Sequence, residues 1–158
     1  MKNINCGHEI RQLDVETCRK YQETLWKFYY ENLKDCAFTI SYTIEEAKKK
    51  IAILIGYLEV DQAIVLGCFK EENLVAYLWS YVHFFREEKR IYISEIYVDS
   101  NWRNMGIARE LLNKIERIAI ESHINALYLH VEAQNIGALQ LYQSEGYLTE
   151  RIQLRKGL

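Results

Sequence analysis

Apolar and polar positions change rhythm several times along this chain, and each change marks an element. From Val15 to Leu33, apolar residues recur at Val15, Cys18, Leu25, Phe28, Tyr29 and Leu33, which is a helical stripe. Asp14 is a good N-cap for it and closes a short strand predicted over His8 to Leu13. Tyr21, Trp26 and Tyr30 fall outside the stripe. Thr43 followed by Glu46 spells a capping box and opens a second helix to about Ile55. Lys48, Lys49 and Lys50 along it read as a solvated face.

The rhythm then shortens. Gln62 to Phe69, Leu74 to Phe85 and Ile91 to Val98 are apolar, β-branched or aromatic, and the joints Lys70–Asn73 and Arg86–Lys89 are polar. Three such runs with short polar turns predict an antiparallel meander. Between Met105 and Glu121 the helical period returns, with Ala108, Leu111, Leu112, Ile115, Ile118 and Ala119 opposite Glu110, Lys114, Glu116 and Arg117. Ala126 to Val131 reads as a strand, Asn135 to Ser144 as a short helix, and Tyr147 to Leu154 as a last strand. A meander followed by strand, helix, strand, helix, strand predicts an α/β (α+β) domain with a mixed sheet covered by helices.

Composition narrows the classes. A chain of 158 residues with no proline and seven glycines shows no linker or repeat, so residues 1–158 read as one domain. A net charge of −2 argues against a nucleic-acid partner. No apolar run is long enough to span a membrane, and Met1 to Ile10 lacks the apolar core of a signal peptide. Cys6, Cys18, Cys36 and Cys68 are scattered without a Cys-x-x-Cys pair. They read as reduced thiols in a cytoplasmic protein, with no metal site.

The chemistry concentrates after the third meander strand, in Ile96-Tyr97-Val98-Asp99-Ser100-Asn101-Trp102-Arg103-Asn104-Met105-Gly106-Ile107-Ala108. A strand ends, a polar turn follows, and a helix opens inside Arg-x-x-Gly-x-Ala. Helix openings carry unpaired N–H groups and a positive dipole end, which suit an anion. Neither a Walker pattern nor Gly-x-Gly-x-x-Gly is present. Downstream, Asn135 stands where strand gives way to helix, and Tyr142 follows two turns later on the same face. By themselves these two also fit an N-cap and a core tyrosine.

In this order and spacing, Arg103, Gly106 and Ala108, then Asn135, then Leu141-Tyr142 and Gly146-Tyr147 resemble the GNAT superfamily of N-acetyltransferases over about half the chain. Ser100 stands where many members carry proline. The resemblance implies a mostly antiparallel twisted sheet of about six to seven strands, flanked by about four helices and splayed into a V beside Val98. It implies acetyl-CoA as co-substrate, its diphosphate on the amides of Arg103, Asn104, Met105, Gly106, Ile107 and Ala108. The pantetheine arm would run along Ile96, Tyr97 and Val98, with Asn135, Ala138 and Tyr142 completing the cofactor site. Tyr142 is then the candidate acid toward the departing thiolate. The resemblance leaves room for a homodimer.

Direct attack on a thioester needs a neutral amine, whereas a free alkylamine has a pKa of about 10. Glu95 is the candidate base. Strict alternation sets it on the face of Ile91, Ile93 and Tyr97, where a carboxylate needs a reason. Base, amine anchor and structural ion pair stay open for it, and His83 is a second candidate. Trp26, Tyr29, Tyr30 and Tyr81, with Phe84, are candidate walls for a cationic acceptor. The acceptor is a small-molecule amine or a peptide amine. A silent acyl-CoA-binding domain is the alternative from another class.

Overall fold

A computed structural model of the chain describes residues 7–36 and 41–158. Five strands form one sheet in the order β1-β2-β3-β4-β5. They are β1 (Glu9–Gln12), β2 (Ala63–Lys70), β3 (Asn73–Phe85), β4 (Glu88–Val98) and β5 (Leu127–Leu129). The helices are α1 (Val15–Lys20), α2 (Gln22–Cys36), α3 (Ile44–Glu59), α4 (Ile107–Glu121) and α5 (Ile136–Ser144). Strands β1 to β4 pair antiparallel, and β5 joins β4 in parallel. This is the mixed, mostly antiparallel open sheet that the pattern predicts.

Two apolar clusters cover the two faces. On the first face, Leu25, Phe28 and Tyr29 of α2 and Ala47, Ile51 and Leu54 of α3 bury Tyr77, Trp79 and Tyr97. On the second, Ile107, Leu111 and Ile115 of α4 and Tyr142 of α5 bury Leu66, Leu78, Ile91 and Ile93. The predicted capping box at Thr43 and Glu46 is present in full.

Three expectations are corrected. The stripe from Val15 to Leu33 is two helices, because Tyr21 breaks it at φ −100° and ψ 16°. The Tyr21 hydroxyl donates to the Glu72 carbonyl at 2.8 Å and its ring meets Phe69 edge-on, so tertiary contacts outweigh helix continuity. The described residues therefore make five α-helices where about four were expected. No strand forms over Tyr147 to Leu154, and the described residues make five strands, not six or seven. Leu148, Ile152 and Leu154 are exposed, while Glu150 grips Arg90 and Arg151 lies over Phe85. Charge and ring contacts hold that segment where apolar burial does not.

The third correction concerns β4. Trp79 pairs with Glu95 but Ser80 with Ile93, so Ser94 is an extra residue, a β-bulge. It reverses the alternation. Ile91 and Ile93 face the second cluster, whereas Glu95 shares the first face with Tyr92 and Tyr97.

Candidate functional site

Pairing between β4 and β5 ends at Ile93 and Leu129, yet β4 runs on to Val98. Beyond the bulge, β4 therefore has a free edge on that side, which opens the expected V. The Asp99 amide donates to the Val75 carbonyl of β3 at 2.9 Å. By alternation, the backbone groups of Ile96 and Val98 point the other way, toward the free edge. Such an edge can accept an extended ligand as an added strand.

The chain next turns through Ser100–Trp102 and reaches Gly106, the N-cap of α4, at φ 82° and ψ 0°. Asn104 is also left-handed, at φ 62°. The left-handed backbone is what requires glycine at 106, since a Cβ there would meet nothing within 4 Å. No side chain caps this helix. Its first internal bond runs from the Glu110 amide to the Gly106 carbonyl at 3.0 Å, so the Ile107, Ala108 and Arg109 amides lack intrahelical partners. Met105 is 48% exposed, and the turn opens outward. Open space, free amides and a helix dipole fit a diphosphate.

Arg103 is more occupied than its motif suggests. Its Nε donates to the Val98 carbonyl at 3.0 Å, its Nη2 bonds Asp35 of α2 at 2.8 Å, and it lies over the Tyr97 ring. It therefore ties the turn to α2 while flanking the free edge. The Asn135 side chain accepts from the Ala138 amide at 3.2 Å and caps α5. Tyr142 is buried in the second cluster, against which Ile96, Val98 and Ala138 pack, and its ring meets Tyr147 at 5.6 Å.

Glu95 lies on the opposite face. Asn32 of α2 donates to its Oε2 at 2.8 Å. Burial raises the Glu95 carboxyl to about 7, against weaker opposing pulls from the Asn32 hydrogen bond and the Lys50 charge. Trp79 Nε1 and Tyr77 Oη, on the same face, are buried without a hydrogen-bond partner among the described residues. Both sit inside the apolar core of the face that Glu95 shares. Sequence reading missed Asn32, although it stands three residues after the core residue Tyr29 on the same helical face.

The four expected wall residues lie in or against the first cluster, but their rings do not form one stack among the described residues. Tyr29 is core, and Trp26 and Tyr30 pack at the cluster margin with lysines over their rings. Tyr81 instead stacks with Tyr57 and meets Tyr92 edge-on. No ring contact joins it to the three α2 aromatics among the described residues. Alternation along β3 puts Phe84 on the opposite face from Tyr81 and His83. His83 is exposed and hydrogen-bonded to the Tyr128 hydroxyl at 3.2 Å, away from Glu95.

The comparison with protein families agrees with this geometry. The model of the acetyltransferase (GNAT) family matches residues 8–147. The chain belongs to that family. It is 32% identical over 84 residues to the uncharacterized N-acetyltransferase YdgE of Bacillus subtilis, covering 53% of this chain and 54% of that one. The curated relatives it matches are spanned over only 21% to 62% of their length. Among solved structures, an aminoglycoside acetyltransferase from an uncultured soil metagenomic sample, in complex with trehalose, superposes with TM-score 0.74 at 20% identity, covering 99% of each chain. A predicted acetyltransferase from Clostridium acetobutylicum with acetyl-CoA gives 0.74 at 18%, covering 94% and 96%. These likenesses carry the fold. No helix among the described residues is long and apolar enough to cross a membrane.

Proposed function

We propose that the chain is an N-acetyltransferase that moves an acetyl group from acetyl-CoA to a primary amine, with Glu95 as base and Tyr142 as acid. The single observation that carries this is a recessed carboxylate raised to about 7, on the bulge where β4 loses its neighbour. A silent binding domain has no need of such a group, whereas a base works best with its pKa near the working pH.

Acetyl-CoA supplies the acyl group as a thioester. The Ile107, Ala108 and Arg109 amides receive its diphosphate, and the Ile96 backbone pairs with its arm. Glu95 takes the proton the amine must lose. As the C–N bond forms, the Val98 amide polarises the acyl oxygen. As the C–S bond breaks, Tyr142 returns a proton to sulfur. Glu95 and Tyr142 thus approach the β4 edge from opposite faces.

Glu95→Gln tests the reading. Wild-type kcat/KM should rise through pH about 7 as the carboxylate forms. The variant should lose that limb and about a hundredfold in rate at pH 8. Identical profiles would overturn the assignment. Stability gives a second readout. The folded carboxyl holds a proton that the unfolded chain releases near 4.5, so native stability falls between pH 4.5 and about 7. Glu95→Gln should remove that fall, gaining on the order of 1–3 kcal/mol at pH 8 and nothing below pH 4.

A further inference from the structure

The helical cover of the first face ends early. Its cluster reaches Tyr81 and stops, with Tyr57 of α3 stacked on Tyr81 at 5.5 Å and 19° as the last helical contact. Past that point the sheet presents a continuous ledge of rings. Tyr92 meets Tyr81 at 5.2 Å, Tyr128 at 4.9 Å and His130 at 5.4 Å, and His83 adjoins Tyr128 at 6.1 Å. The rings are braced, since the Tyr92 hydroxyl bonds His130 Nδ1 at 3.1 Å and the Tyr128 hydroxyl bonds His83 Nδ1 at 3.2 Å. Tyr81, Tyr92 and Tyr128 remain half-buried, so each keeps surface for a ligand.

The charges around the ledge are unequal. Glu95 stands at one end, three positions along β4 from Tyr92 with one of the intervening residues bulged out, a separation of roughly 7–10 Å. At the other end lie guanidinium groups, Arg90 over Phe85 and Tyr128 and Arg151 over Phe85. Arg90 is held by Glu88 and Glu150, while Arg151 makes no ion pair among the described residues. Among the described residues no carboxylate stands between the rings, and Glu88 and Glu150 at the far end are taken up by Arg90. The ledge suits one cationic end next to Glu95 and a flat, uncharged or anionic body beyond.

We propose that this ledge seats the acceptor and selects a monoamine joined to an aromatic ring by a short alkyl arm, its nitrogen at Glu95 and its ring on Tyr92 and Tyr128. The proposal rests on the reading of Glu95 as the base. A polyamine or an aminoglycoside would place further cations on rings that lie toward Arg90 and Arg151, where the carboxylates of Glu88 and Glu150 are already paired with Arg90.

The test uses the full chain. Free thiol release is followed with acetyl-CoA and phenethylamine, tyramine, butylamine, spermidine or kanamycin, and phenethylamine binding is measured separately by calorimetry with coenzyme A present. The aromatic amines should exceed the others in kcat/KM. Tyr92→Leu and Tyr128→Leu should each raise KM for phenethylamine about tenfold while KM for acetyl-CoA stays put, and Tyr92→Phe should keep most of the affinity. Matched melting temperatures, or the Tyr128→Leu result alone, guard against a folding defect. Turnover of kanamycin or spermidine above the aromatic amines, or no KM change in either leucine variant, overturns the ledge and leaves acetyl transfer standing. Phenethylamine that binds, weakens in the leucine variants, and is never acetylated upholds the ledge and overturns Glu95 as base.

Discussion

Helices α4 and α5 each open shortly after a strand of the same sheet, yet their first turns are built in opposite ways. At α5, Asn135 folds its side chain back onto the Ala138 amide, so the helix satisfies one of its own free donors. At α4, Gly106 offers no side chain and holds a left-handed backbone, which leaves the first amides facing open space. A capped opening contributes stability, while an uncapped one keeps its partial positive charge for something else. Both positions belong to the motif that resembles the family, but only α4 is shaped to receive an anion through its backbone.

Substitutions can break or sharpen that contrast. Gly106→Asp should have the largest effect, because a side chain at φ 82° is strained and its charge opposes a phosphate. Acetyl-CoA affinity should fall on the order of a hundredfold or more, and unchanged calorimetry would remove α4 from the cofactor site. Gly106→Ala separates the two causes, since space for its Cβ is free and only the backbone strain remains. Next in size is Tyr142→Phe on α5. It should lower kcat about ten- to a hundredfold with little change in acetyl-CoA affinity, and an equal loss of both would make Tyr142 a binding residue. The smallest effect belongs to Asn135→Ala, which should cost about 1 kcal/mol of stability and leave cofactor affinity alone. A large affinity loss would show that Asn135 serves the ligand as well as the helix.

Much of this was legible in the residue order. The α4 stripe of Leu111, Leu112 and Ile115, the Thr43–Glu46 box and the β2–β3–β4 meander are local patterns, set by neighbours within a turn or a hairpin. The uncapped glycine opening of α4 was legible too, because the signal lies within six consecutive residues. The ring ledge was not. Its members come from β3, β4 and β5, and only the register Tyr81↔Tyr92 and Tyr92↔Tyr128 brings them together. Trp26, Tyr29, Tyr30 and Tyr81 all belong to the first cluster, but the residue order does not show that Tyr81 stacks on Tyr57 of α3 and not on the α2 rings.

What the sequence alone determined is therefore the inventory: which segments are helix or strand, which turn can cradle an anion, and the family to which the chain belongs. The tertiary structure decided the facing. One extra residue at Ser94 carries Glu95 away from Ile91 and Ile93 and onto the face of Asn32 and the tyrosines. The physical reason is that a strand has a period of two, so a single bulged residue exchanges the two faces for everything beyond it. Whether a bulge forms depends on what packs above and below the strand, and that information is spread over α2, α3, β3 and β5.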